Sequence, residues 1–282
     1  MLLSDGNDTT GSGQTEAALA AARGIQVQTH LTGLNGADEV LVERLTSPST
    51  ARIGEQVQVS ADVTSTVANQ TQFSFAASAY DVLAAWQVLS VHPEIDASRI
   101  GAQGHSRGGS AVLTAATRRF ADAVVGAGAG FRSVLAAYPW SGHQFLDPSV
   151  DETEIRVIMG DADEWCSPMQ VQGHCQAIRL SGGRVSMRLI GGAQHSFDRG
   201  TEIENVADAS VSPAAPTIYI GNDGAFIHPL GGVADSKLVD RDLMIYALKA
   251  GYGRKGAKIG SRDGEAELFK ADMLAFWRRT LG

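Results

Sequence analysis

The chain has 282 residues, 44% of them hydrophobic, and a formal net charge of −8. With a mean hydropathy of −0.05 and a pI near 5.3, this is the composition of a globular protein with a sizeable core, in one large or two small domains. Its acidity argues against nucleic acid or an anionic membrane as partner, and no apolar run approaches the ~20 residues of a membrane span.

The chain opens MLLSDGNDTTG. It has no basic region there and too short an apolar run for a secretory leader, so the expected location is cytoplasmic. The first 67 residues are rich in Val, Thr, Gln and Gly. Leu2-Leu3-Ser4 reads as a strand end, followed by the loop DGNDTTGSG. The Ala-rich stretch QTEAALAAAR predicts a short helix stopped by Gly24. Ile25, Val27, Thr29 and Leu31 alternate as strand residues do, and so do Val57, Val59, Ala61 and Val63. Pro48 and Gly54 mark turns between them.

Beyond about residue 68 the rhythm changes. Residues 75–91 place Ala79, Val82, Leu83, Trp86 and Leu89 on one helical face. A break at Pro93 and Asp96 precedes a short strand at 99–103, and then comes Ser106 between Gly104 and Gly108, in the pattern G-x-S-x-G. With 32 glycines in the chain, that string arises readily by chance. Its surroundings give it weight: a strand before it and the Ala-rich SRGGSAVLTAATRRF after it predict strand, sharp turn and helix. A serine at such a turn is pushed out of the backbone's path, with Gly104 and Gly108 expected to keep its neighbours from colliding. Strands follow at 133–141, 154–160 and 184–190, with a helix at about 168–180. KLVDRDLMIYALKAG and GEAELFKADMLAFWRRTL predict two more helices. Strands alternating with helices imply an α/β fold, a mostly parallel sheet with helices on both faces.

A serine hydroxyl is a weak nucleophile until a base takes its proton, and that base needs an orienting acid. In such a sheet these groups belong at the C-terminal ends of strands. The strand at 154–160 ends at Asp161, Asp163 and Glu164. The strand at 184–190 ends at a Gly191-Gly192 loop and His195. Of the seven histidines, only His195 lies in a loop directly after a strand in the order Ser, acid, His. Cys166 and Cys175 form no C-x-x-C motif, and two thiols are too few for a structural zinc site unless histidines help. Two free thiols, or a disulfide across the eight intervening residues, both fit. There is no phosphate-binding G-x-x-x-x-G-K-[ST], and no G-x-G-x-x-G follows a strand, so no cofactor is expected.

Residues 69 to 282, about three quarters of the chain, resemble the dienelactone hydrolase group of α/β-hydrolases. The resemblance rests on NQTQFSFAASAYDVLAAWQVLSVHPEIDASRIGAQGHSRGG, AYPW, GDADEWCSP and GGAQHSFD. It implies Ser106 as nucleophile, His195 as base and Asp163 as acid, with Asp161 as the alternative acid. It also implies that the backbone N–H of Arg107 is one donor of an oxyanion hole. The best-known members of the group carry cysteine as nucleophile. Serine here points to small or short-chain carboxylic esters as substrates, cleaved through an acyl-enzyme. The alternatives are a weak or inactive binding protein, and a peptidase or acyltransferase on the same fold. Trp140 and Trp165 follow strands and are candidates for a substrate pocket, with core packing as the competing role. The Arg107 side chain fits either a substrate carboxylate or a surface salt bridge.

The first 67 residues do not resemble the front of a hydrolase. MLLSDGNDTTGSGQTEAALAAARGIQVQTHLTG resembles the last part of a von Willebrand factor A domain, and EVLVERLTSPSTARIGEQVQVSADVTS the β-rich segment that can follow one. Asp5 matches that family's late metal-site aspartate, but its D-x-S-x-S motif is absent and no metal is expected there. The join falls near VTSTVANQTQ, which divides the chain at 1–67 and 68–282 and suggests a chimera. In that arrangement the DGNDTTGSG loop would lie near Ser106 and supply the second oxyanion donor.

Overall fold

A computed structural model of the chain describes residues 74–282 and four strands before them: β1 (Leu2–Ser4), β2 (Thr29–Leu31), β3 (Val40–Thr46) and β4 (Ser60–Ser65). The chain divides into two compact units, Met1–Gln70 and Thr71–Gly282. In the first, β1 pairs in parallel with β2, and β3 pairs antiparallel with β4. The helix expected at QTEAALAAAR, the DGNDTTGSG loop, Asp5 and residues 66–72 of the join lie outside the described residues.

The second unit opens with α1 (Phe75–Ser90), whose N-cap Ser74 accepts from the Ala77 N–H through its hydroxyl oxygen. There follow β5 (Gly101–His105), α2 (Arg107–Ala116), α3 (Arg118–Val125), β6 (Ser133–Ala137), β7 (His143–Phe145) and β8 (Glu154–Gly160). Next come α4 (Pro168–Leu180), β9 (Arg184–Ile190), β10 (Glu204–Val211), β11 (Ile218–Ile220), β12 (Phe226–Ile227) and β13 (Ala234–Asp235). The chain closes with α5 (Asp240–Lys249), β14 (Arg254–Ile259) and α6 (Glu265–Thr280). The main sheet has the order β5-β6-β8-β9, and all three pairings are parallel.

Register shows how this sheet is covered. Gly101 pairs with Ser133, Ser133 with Glu154 and Glu154 with Arg184, so these positions and every second residue after them share one face. That face meets α6. Gln103 Oε1 accepts from Trp277 Nε1 at 2.9 Å, Ser133 meets Thr280, and Arg156 and Arg188 both donate to Asp272. The opposite face carries Gly104, Ala136 and Val157, and α2 lies directly on it: a Cβ added to Gly104 would sit 2.0 Å from the Gly108 carbonyl oxygen. All five residues of β6 are buried, as a strand covered on both faces requires.

Local chemistry sets the boundaries. β5 begins two residues later than the expected strand and runs into the Ser106 turn. The helix after Ser106 breaks at Thr117, which takes extended backbone (φ −70°, ψ 125°) and returns its hydroxyl to the Leu113 carbonyl. The strand expected at 133–141 stops at Ala137, because Tyr138 adopts a φ of 35° ahead of Pro139. Two smaller sheets had no counterpart in the expected elements. β7 pairs in parallel with β11, β11-β12-β13 continue antiparallel, and β10 pairs antiparallel with β14 through a register shift between Val206 and Ser210. Six of the eight residues of β10 are neither buried nor regularly alternating in burial, which removes the usual strand signature. Among the described residues, no helix is long and apolar enough to cross a membrane.

Candidate active site

Ser106 occupies the single residue between β5 and α2, with φ 52° and ψ −116°. A non-glycine residue there costs roughly 1–3 kcal/mol and persists only where its surroundings fix it. The Ser106 N–H donates to the Ala137 carbonyl at 2.9 Å, which anchors the turn to the end of β6. The glycines around it divide the work differently from the expectation. Gly104 and Gly109 are the tight positions, an added Cβ meeting Gly108 O at 2.0 Å and Ala137 O at 2.9 Å. At Gly108 it would meet nothing within 4 Å, so Gly108 contributes its backbone to a close approach, not its missing side chain.

Three acids follow β8, and the structure separates them. Asp161 is exposed and accepts from the Gly192 N–H, fastening the loop that precedes His195. Glu164 accepts from the Lys258 N–H at 2.9 Å. Asp163 is buried, at 6% exposure. Its Oδ1 accepts from the backbone N–H groups of Trp165 (2.8 Å) and Cys166 (2.9 Å), an Asx turn that aims Oδ2 at Nδ1 of His195, 2.7 Å away. His195 is 4% exposed, and its Nε2 lies 2.9 Å from the Ser106 hydroxyl oxygen. A carboxylate only accepts hydrogen bonds, so in a neutral imidazole Nδ1 carries the proton and Nε2 accepts from Ser106.

The His195 loop is held from several directions. Its carbonyl accepts from the Gly260 N–H at the end of β14, and Arg262 donates to the Gly191 carbonyl. The imidazole contacts two aromatic rings: Trp165 stacks on it with centroids 5.5 Å apart, and Tyr138 meets it edge-on at 4.7 Å. Tyr138 is itself buried and tied down, donating to Asp198 at 2.6 Å, with His105 Nδ1 3.0 Å from the same hydroxyl. Burial, then the adjacent Asp198 charge, pushes the Tyr138 hydroxyl pKa well up. Burial acts on Asp198 in the opposite sense to its hydrogen bonds from His105 and Tyr138, and those bonds prevail, holding its carboxyl below the usual range.

Trp140 has ring contacts of its own. It stacks on Phe75 at 4.4 Å and meets His143 edge-on at 4.7 Å. Arg107 opens α2, and its guanidinium covers the Phe75 ring at 4.7 Å and donates to the Ser74 carbonyl. Burial lowers the Arg107 pKa, partly offset by Asp240. The loop expected to give a second oxyanion donor lies outside the described residues.

Sequence reasoning missed Phe75, Asp198 and the place of Cys166. Asp198 stands three residues after His195 in HSFD, close enough to have been a signal. Both cysteines are buried free thiols. Burial, then Asp163, pushes the Cys166 thiol well up, and burial pushes Cys175 up to about 11. Asp163, Cys166 and His195 each offer one ligand atom within 4.8 Å of the others, a grouping able to hold a metal ion.

No protein-family model and no curated protein matches the chain. Among solved structures, it is similar to a propionate-bound thermophilic esterase of the planctomycete Thermogutta terrifontis, at 16% identity, with 49% of this chain and 63% of that one covered and a TM-score of 0.36. It is similar to a provisionally named dienelactone hydrolase of Klebsiella pneumoniae at 18% identity, covering 43% and 51%, TM-score 0.33. It is similar to dipeptidyl peptidase 4 of Porphyromonas gingivalis at 19% identity, covering 44% and 20%, TM-score 0.36. The chain thus spans less than two thirds of each of these proteins, and likeness at this level does not fix activity, substrate or partner.

Proposed function

We propose that this chain is a serine hydrolase cleaving small carboxylic esters through an acyl-enzyme. One observation carries the reading: the unbroken hydrogen-bonded series Ser106 Oγ, His195 Nε2, His195 Nδ1, Asp163 Oδ2, at 2.9 and 2.7 Å. Ser106 attacks the ester carbonyl carbon while its proton passes to His195 Nε2, a transfer worth about 10²–10⁴ in rate. Asp163 holds the imidazolium through Nδ1–H. The Arg107 N–H, at the start of α2, donates to the oxyanion of the tetrahedral intermediate. Collapse of that intermediate releases the alcohol, which takes its proton from His195. Water, deprotonated by the same imidazole, then attacks the acyl-enzyme carbonyl, and the new tetrahedral intermediate collapses to release the carboxylic acid as His195 returns the proton to Ser106 Oγ.

Hydrolysis of p-nitrophenyl acetate and butyrate by wild type and Ser106→Ala tests this, alongside labelling by a fluorophosphonate probe. The expected loss in kcat is about 10⁴-fold or more, with labelling confined to wild type. Wild-type turnover equal to that of Ser106→Ala would leave a binding protein as the reading, and turnover of peptide amides at the rate of esters would make it a peptidase.

A further inference from the structure

Cys166 has no part in the chemistry above, yet its thiol is buried beside the acid–histidine pair. We infer that Asp163, Cys166 and His195 form an inhibitory site for one thiophilic divalent cation, Zn²⁺ or Cd²⁺, a regulatory property that rests on the triad reading of the same residues. Three observations support it. One ligand atom from each side chain falls within 4.8 Å of the others. The Asx turn fixes Asp163 and Cys166 relative to each other and occupies Oδ1 with backbone N–H groups, so Oδ2 is the oxygen presented to a cation. All three residues are at least nine-tenths buried, at 6%, 4% and 4% exposure.

The donor set selects the ion. Zinc takes sulfur at about 2.3 Å and nitrogen or oxygen at about 2.0–2.2 Å, in tetrahedral geometry. Binding would have to open the 2.7 Å gap between Oδ2 and Nδ1 and bring the sulfur, now within 4.8 Å of both, to bonding distance. Thiolate and imidazole are borderline-soft donors, which favours Zn²⁺ and Cd²⁺ over Mg²⁺ or Ca²⁺. One thiolate and one carboxylate cancel the ion's two charges, so the buried assembly is neutral. Water fills the remaining position.

Inhibition follows from proton placement. Binding releases the Cys166 thiol proton to solvent. Coordination at Nδ1 moves the imidazole proton to Nε2. There it donates to Ser106 Oγ, and His195 can no longer take the hydroxyl proton. The nucleophile stays in place and loses its base.

The test titrates Cd²⁺ into wild type, Ser106→Ala, Cys166→Ser and Cys175→Ser. The readouts are ultraviolet thiolate-to-metal charge-transfer absorbance and p-nitrophenyl acetate hydrolysis. Wild type, Ser106→Ala and Cys175→Ser should each develop the absorbance at one equivalent, and Cys166→Ser should not. Half-inhibition of Cys166→Ser should need at least about 10-fold more Cd²⁺ than wild type, and a chelator should restore wild-type activity. If Cys166→Ser fails to fold by circular dichroism, His195→Gln read by the same absorbance replaces it and should lose tight binding. Absence of the band from wild type, its persistence in Cys166→Ser, or equal inhibition of both proteins overturns the site. Should wild type hydrolyse no ester, the absorbance still decides the cation site, and only the ester reading falls.

Discussion

Replacing Asp163 with asparagine separates the chemistry of this site from its architecture. The carboxylate does two jobs with two oxygens. Oδ1 accepts from Trp165 and Cys166, and Oδ2 from His195. Asparagine can keep only one of these arrangements. With its carbonyl at the Oδ1 position, both backbone hydrogen bonds survive, each worth about 1 kcal/mol. Its NH₂ then confronts Nδ1 of His195, and two N–H groups cannot share a hydrogen bond. The imidazole proton moves to Nε2, which becomes a donor toward Ser106 and ceases to be a base. A wrong tautomer of this kind costs about 10⁴ in kcat, or about 5.4 kcal/mol. Stability should hardly change. Asp163→Ala behaves differently, because it strands two N–H groups, that of Cys166 in a buried residue, at about 1–3 kcal/mol each. Steady-state and burst kinetics on p-nitrophenyl acetate, with melting temperatures for all three proteins, make the comparison. A folded Asp163→Asn enzyme with kcat within tenfold of wild type would refute the assigned tautomer and the role of Asp163.

Gly160→Ala should cost about 1–3 kcal/mol by overpacking and reduce turnover as well, since the new Cβ would lie 2.1 Å from the Ala193 carbonyl oxygen, two residues before His195. Unchanged melting temperature and unchanged kcat together would show that the His195 loop is not packed as described. His174 is buried on α4, and burial lowers its pKa to about 4. Because the folded value lies below the unfolded value of about 6.5, its contribution is complete above pH ~6.5 and is lost as pH falls toward 4, by up to about 1.4 kcal/mol per pH unit. Urea midpoints between pH 7 and 4.5 should therefore fall more steeply for wild type than for His174→Gln, and parallel slopes would reject that account.

Much of the second unit could be read from local pattern. The strands at 154–160 and 184–190 and the helix at 168–180 fall where the local sequence pattern puts them. Their signals are carried by the residues that form the element. β10 and β14 were not legible for the converse reason: a polar, bulged ribbon gains its stability from its partner across the ladder, about fifty residues away. The site was legible to the same degree. Ser106, His195 and a cluster of three acids could be named from motif and strand order. Trp165 could be named as a pocket candidate, but the contact of Tyr138 with His195 could not, since the two residues come from two different strand ends.

The sequence by itself determined the serine turn and the order of the functional groups, because a sharp strand-to-helix turn needs glycine at particular neighbours and strand ends are set by short-range pattern. Residue pattern alone left three acids after the strand, the resemblance named Asp163 with Asp161 as the alternative, and the tertiary structure shows which of them faces the histidine. Asp161, Asp163 and Glu164 lie within four residues and carry the same charge. Their difference is direction: one Asx turn aims Asp163 inward at His195, while Asp161 and Glu164 bind neighbouring backbone. The same turn brings the Cys166 thiol to the histidine, a proximity that arises where two parallel strands end side by side.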